Sequence, residues 1–239
     1  MCVERGGKRG HGRRGDALRK GGTAVGRGAG DGGRDPFAAL NTVQAQAPCA
    51  MAKVVPDGAE LGTRVQRNCS RNSAKGKAAL AIGPGLGRTD GSWPPGQALV
   101  RSDTPKVIDA DALFLLAKHG GGVGANTGAT PHPGEMARLC DTTVQAVLAA
   151  PVGLAQQLAA DLGACVLLKG ATTIIAQGED VAMNIVGRRH GTGGCGDAPT
   201  GVIACYGAGH QPYGMWRVSA RFITDARAKR RRRIWLRAA

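Results

Sequence analysis

The chain has 239 residues, 42% apolar and only 3% aromatic, with 39 glycines and a formal net charge of +15. That length admits one substantial domain or two small ones. No apolar run approaches the length of a membrane span and no leader pattern opens the chain, so neither membrane insertion nor secretion is expected. Seven cysteines, at Cys2, Cys49, Cys69, Cys140, Cys165, Cys195 and Cys205, form no C-x-x-C pair and are odd in number. That pattern argues against a metal cluster or a disulfide framework and makes a reducing cytoplasm the expected compartment. The charge is concentrated at the ends. Residues 1–35 carry 9 Lys/Arg against 4 Asp/Glu and residues 217–239 carry 9 against 1, which leaves residues 36–216 at only +2. A nucleic-acid-binding protein would show a basic face on the body, with aromatics for stacking, and this chain has neither.

Residues 1–35 are crowded with Gly and Arg and lack apolar periodicity, so disorder is the physical expectation. Residues 36–76 give no clear element. A strand is expected at Ala78–Ile82, running into Gly83-Pro84-Gly85-Leu86-Gly87, where alternating glycines let a backbone approach a ligand closely. Taken alone, that turn is equally a strand-to-helix loop with no ligand. Asp90–Ser102, with Pro94 and Pro95, is too broken to predict a helix.

Val107-Ile108 reads as a short buried strand with Asp109 and Asp111 at its carboxyl end, then a helix over Ala112–Lys118. In open α/β sheets that end faces the ligand crevice. Two acids there suit a substrate or a hydrated Mg²⁺, or one of them simply caps the helix. Gly120-Gly121-Gly122 marks a loop. In Thr130-Pro131-His132-Pro133-Gly134-Glu135 the prolines stiffen the chain and hold His132 in one direction before an apolar helix at Met136–Cys140.

An amphipathic helical region covers residues 142–163, broken by Pro151 and ended by Gly163. Cys165–Leu168 is the solid apolar run of a central parallel strand. Lys169 and Gly170 follow, with the next strand at Thr172–Ala176. The cation and the threonine hydroxyls there suit a nucleotide phosphate, and an unliganded turn is the alternative.

The richest stretch is His190-Gly191-Thr192-Gly193-Gly194-Cys195-Gly196-Asp197, leading into an apolar run that contains Pro199. A glycine loop feeding a helix N-terminus aims several backbone N–H groups at an anion. Asp197, just beyond it, is placed to take a proton from a hydroxyl attacking phosphorus. The plain alternative is a glycine turn with Asp197 as helix cap.

In this order, the five motifs resemble the ADP-dependent NAD(P)H-hydrate dehydratase family over residues 77–214. The resemblance implies an α/β fold, a ribokinase-like three-layer doubly wound sheet, here expected to be incomplete at both ends. It divides the chain into residues 1–35, a dehydratase-like domain at 36–214 and a basic tail at 215–239. It implies a lyase that restores NADH or NADPH from the S-epimer of the hydrate at the expense of ADP, giving AMP and phosphate, with Mg²⁺ assisting.

By that resemblance Asp197 is the catalytic base, Gly87, His132 and Asp197 contact the hydrate, and Lys169, Gly170, Ala171, Thr172, Thr173 and Gly196 hold the nucleotide. No residue is assigned to a metal, and a homotetramer is the implied assembly. Two other readings are an ATP-dependent ribokinase-like small-molecule kinase and a degenerate member without activity. Several positions depart from the family pattern. Phe114 stands where Asn is usual, Gly187–His190 replaces Asn-x-x-Gly-Asn, Cys195 replaces Thr, Ala198-Pro199 replaces Val-Leu, and the resemblance stops at Gly214.

Overall fold

Four strands lie parallel in the middle of one sheet, and each ends in a loop singled out by its sequence. They are β4 (Ala79–Ile82), β5 (Lys106–Ile108), β6 (Thr127–Ala129) and β7 (Cys165–Leu168). The computed structural model describes residues 79–123 and 126–184, positions 72 and 77, and the strand backbones β1 (Cys2–Val3), β2 (Gly22–Gly26) and β3 (Met51–Val54). Beyond β7 the chain turns back twice, so β8 (Thr173–Gln177) and β9 (Asp180–Asn184) extend the sheet antiparallel. The full order is β3-β2-β1-β4-β5-β6-β7-β8-β9. β1 and β2 fall within the stretch where composition predicts disorder; the rest of residues 1–35 lies outside the described residues.

The short central strands are buried on both faces, which is why they read as unbroken apolar runs. Alternation divides the side chains between two clusters. Leu80, Ile82, Ile108, Val166 and Leu168 join the larger one with helix residues such as Leu113, Leu116, Met136 and Leu158. Ala79, Ala81, Val107, Cys165, Leu167, Ile175 and Ala182 form the second, from strands alone. Burial pushes the Cys165 thiol up to about 12, so it is packing material at neutral pH.

Five α-helices are described, the first preceded by a short 3-10 turn at Asp90–Ser92. α1 (Trp93–Val100) forms where the prolines argued against one: Pro94 and Pro95 sit in the first turn, where a missing N–H costs nothing. α2 (Asp111–His119) follows β5, and the rings of Trp93 and His119 stack at 5.5 Å. Between β6 and β7 come α3 (Pro133–Leu139), α4 (Val144–Ala149) and α5 (Pro151–Leu162). Pro151 starts the third of these and Gly163 ends it in the left-handed conformation, as expected. β6 and β9 escaped the sequence reading, β6 because Thr-Gly-Ala carries no strand signal. No described helix is long and apolar enough to cross a membrane.

Candidate functional site

Because β4 to β7 are parallel, their four carboxyl ends open on one edge of the sheet, the crevice side of an open α/β fold. Ile82 leads into the glycine turn, Ile108 into Asp109, Ala129 into Thr130-Pro131-His132, and Leu168 into Lys169. Motifs up to 86 positions apart in sequence (Gly83 to Lys169) thus become neighbours.

The loops lie close enough that backbone geometry decides residue type. Gly83 has φ of +130°, and a Cβ there would stand 1.7 Å from the carbonyl oxygen of Asp109, so only glycine fits. Asp109 N–H donates to the carbonyl of Ile82 at 3.0 Å, continuing the ladder one step past the strands. Ala110 then takes φ 49°, ψ −119°, a strained backbone for a residue with a Cβ. That kink separates the two acids. Asp109 is buried, while Asp111 begins α2 and its carboxylate accepts from the Gly87 N–H at 3.1 Å and from Arg88 Nε at 2.7 Å.

Lys169 occupies the centre. Its Nζ lies 2.7 Å from Asp109 Oδ1, which also accepts from the Ala110 N–H at 2.9 Å, and 3.8 Å from Glu135 Oε2. Lys169 N–H donates to the Pro131 carbonyl at 2.8 Å, locking the lysine loop onto the His132 loop. An ammonium between two buried carboxylates offsets the cost of desolvating all three.

His132 is the N-cap of α3. Its Nδ1 accepts from the backbone N–H of Gly134 at 3.0 Å and of Glu135 at 3.3 Å. Glu135 Oε2 in turn accepts from the His132 N–H at 2.8 Å, completing a capping box. Accepting on Nδ1 leaves Nε2 as the donor of the ring; it lies 3.5 Å from Glu135 Oε1, on a side chain 56% exposed. The pattern His-x-x-Glu at a helix start was the signal that could have identified Glu135 in advance.

Gly87, His132 and Lys169 are therefore brought to one crevice, with Gly170 and Ala171 exposed beside Lys169 and Thr173 buried as the first residue of β8. The Lys169–Thr172 turn is tight, since a Cβ on Gly170 would meet the Thr172 carbonyl oxygen at 2.9 Å. The glycine loop with Gly196 and Asp197 lies outside the described residues. Among the described residues no group of three or more His, Cys, Asp or Glu side chains could hold a metal ion.

Residues 37–230 match the family model described as NAD(P)H-hydrate dehydratase. A bifunctional NAD(P)H-hydrate repair enzyme of Vibrio cholerae is 41% identical over 126 residues, covering 52% of this chain and 25% of that protein. One from Mycobacterium tuberculosis is 39% identical over 145 residues, covering 57% and 29%. The chain thus spans under a third of the length of these curated relatives. An ADP/ATP-dependent NAD(P)H-hydrate dehydratase of Bacillus subtilis, co-crystallised with ATP and Mg²⁺ and soaked with CoA, superposes with a TM-score of 0.66 at 25% identity, covering 86% of this chain and 71% of that one. A ribokinase-like superfamily protein of Enterococcus faecalis gives 0.60 at 25% identity, covering 79% and 66%.

Proposed function

We propose a function from one established point: the chain belongs to the NAD(P)H-hydrate dehydratase family. Its reaction is the ADP-dependent dehydration of the S-epimer of NADH or NADPH hydrate, returning the reduced nicotinamide with AMP and phosphate as by-products. Hydroxide is a poor leaving group, and phosphorylation turns it into a good one. Asp197 takes the proton of the hydrate hydroxyl, whose oxygen attacks the β-phosphorus of ADP, and AMP leaves. The ring nitrogen's lone pair then expels the oxygen with its phosphoryl group as phosphate, and loss of a proton from the adjacent ring carbon of the resulting iminium restores the dihydronicotinamide. The glycine loop through Gly196 steadies the charge on the transferred group with aimed N–H dipoles.

The observation that carries this reading is the convergence of the Gly87, His132 and Lys169 loops on one crevice, within a chain matching the family over residues 37–230. Gly87 and His132 serve the hydrate. Lys169, Gly170, Ala171, Thr172 and Thr173 serve the nucleotide with Gly196. Asp109 holds Lys169 at 2.7 Å, so its ammonium approaches a phosphate already oriented.

Mg²⁺ would be held by the nucleotide's phosphates and would screen their charge. Asp109 and Asp111 do not offer it a ready pair of ligands, because Lys169 engages the first and Gly87 N–H and Arg88 the second. The reaction is assigned to the cytoplasm, and a homotetramer is the proposed assembly.

The test is turnover of NADH hydrate with ADP and Mg²⁺, comparing the parent with Asp197→Asn. Recovery of NADH by the parent alone establishes reaction and base together. Recovery with ATP and not ADP would reassign the phosphoryl donor. Failure with either donor, in a protein that still binds nucleotide, would overturn the reading and leave a family member without this activity.

A further inference from the structure

Three elements meet beside the crevice just described. Arg88 follows the glycine turn, Phe114 lies one turn into α2, and Arg138 lies in the last turn of α3. The guanidinium carbon of Arg88 is 5.1 Å from the centre of the Phe114 ring, and that of Arg138 is 5.0 Å from it. Two cations therefore share one aromatic platform.

A single exposed arginine lying on a half-buried ring would need no explanation beyond covering apolar surface. Two on the same ring are different. Stacking is worth only about 0.5–1 kcal/mol each at exposed sites, and it does not neutralise charge. Arg88 has Asp111 as a partner through Nε at 2.7 Å, which orients it and leaves its terminal nitrogens without a described partner. Arg138 has no carboxylate partner among the described residues. One carboxylate against two guanidiniums leaves a net positive site whose repulsion an anion would relieve. Planar guanidinium forks suit phosphate.

Position says which phosphate. Arg88 adjoins Gly87, and Arg138 is on the helix capped by His132, six residues further on, or about 9 Å along its axis. One assigned hydrate contact, Gly87, thus adjoins an arginine of the pair, and the other, His132, lies about 9 Å along α3 from the second. The Lys169–Thr173 loop, assigned to the other nucleotide, contributes neither. Phe114 itself occupies the position where the family pattern has Asn, so the platform is a property of this chain.

We propose that Arg88 and Arg138, braced on Phe114, form a phosphate clamp at the rim of the crevice that anchors the dinucleotide substrate by its diphosphate bridge or its 2′-phosphate. The proposal rests on the hydrate assignment made above and deepens it. The clamp binds the part of the substrate that does not react and leaves the nicotinamide free to meet Asp197.

Isothermal titration of the full chain with NADPH, NADH and ADP, separately, tests it without depending on turnover. Arg88→Ala/Arg138→Ala should weaken NADPH about tenfold or more, the loss of charge-assisted contacts, and leave ADP unchanged within about twofold. Equal weakening of NADH assigns the clamp to the diphosphate bridge; weakening of NADPH alone assigns it to the 2′-phosphate. Arg138→Lys, which keeps charge without the fork, should fall between parent and Arg138→Ala. The salt dependence of NADPH binding should flatten in the double variant, which a merely structural role would not produce. If the double variant binds NADPH as the parent does, or if the parent binds neither dinucleotide, the clamp is overturned. Hydrate turnover that fails while NADPH binding still responds to the arginines would count against the catalytic reading and leave the clamp standing.

Discussion

Strand β5 has a buried ionisable group at each end, and the two ends treat it differently. Asp109, just past the carboxyl end, is 1% exposed and has the Lys169 ammonium at 2.7 Å, with the Ala110 N–H on the same oxygen. Lys106, the first residue, is also 1% exposed, yet among the described residues its Nζ bonds only the Thr127 hydroxyl, at 3.3 Å, and that hydroxyl donates onward to the Val123 carbonyl at 2.7 Å. Desolvation accordingly pulls the Lys106 ammonium down to about 8, opposed in part by Asp103. The carboxyl end is built from paired charges, close backbones and one strained residue. The amino end tolerates a poorly solvated cation, and the attraction of Asp103 does not offset its burial. The contrast separates a crevice organised for a ligand from a base that only has to pack.

The largest effect should come from breaking the backbone contact that organises the crevice. Gly83→Ala drives a Cβ into the Asp109 carbonyl at a φ that alanine avoids, and about 4 kcal/mol of stability should go in urea unfolding. A loss below about 1 kcal/mol would mean the loops do not approach as described.

Next comes the pairing itself. Lys169→Met leaves Asp109 buried without its cation and should cost about 3 kcal/mol. Asp109→Asn/Lys169→Met removes both charges and should recover more than half of that loss. Strict additivity of the two single changes would show that the pair is not coupled.

At the other end the sign reverses, and Lys106→Met should stabilise. The drop from 10.5 to about 8 corresponds to about 3 kcal/mol of disfavoured charging, less about 1 for the hydroxyl contact, so a gain of about 2 kcal/mol is expected at pH 7. The folded value lies below the unfolded one. Between about 8 and 10.5 the unfolded chain binds a proton that the folded chain does not, so stability rises with pH through that window, with the full penalty present below it. Cys165, raised from 9.0 to about 12, acts in the opposite sense above pH 9, which makes pH 8 to 9 the clean interval. The parent should gain stability across it and Lys106→Met should not.

What was legible in the sequence follows the same division. The glycine turn, the Pro-His-Pro corner, the break at Pro151 and the apolar run at Cys165–Leu168 each carry a local physical signal, and each appears where that signal put it. The pairing of Asp109 with Lys169, 60 residues apart, does not, because it exists only once the strands are parallel and adjacent. Nothing about alanine announces the strained backbone of Ala110, and a lysine before Val107-Ile108 reads as exposed rather than buried. α1 carries no such signal, because prolines read as helix breakers, when at a first turn they are starters. The strand expected at Thr172–Ala176 appears within one residue, as β8, but its antiparallel return from β7 has no sequence marker beyond the tight Lys169–Thr172 turn.

The smallest change asks what Glu135 contributes: a charge facing Lys169, or a cap on α3. The carboxylate is 3.8 Å from the ammonium, beyond hydrogen-bond distance, but 2.8 Å from the His132 N–H. Distance therefore favours capping. Glu135→Gln keeps an oxygen acceptor for that N–H and should cost about 0.5 kcal/mol, whereas Glu135→Ala removes it and should cost about 1–2, the range for losing a helix cap. Because the same N–H belongs to the residue whose ring caps the helix, Glu135→Ala should also raise KM for the hydrate while leaving the KM for ADP where it was. Equal losses of stability in Gln and Ala would transfer the role to the charge. The Asp109–Lys169 pair would then have to be redrawn as a triad, with both carboxylates required to hold one ammonium at the carboxyl end of the sheet.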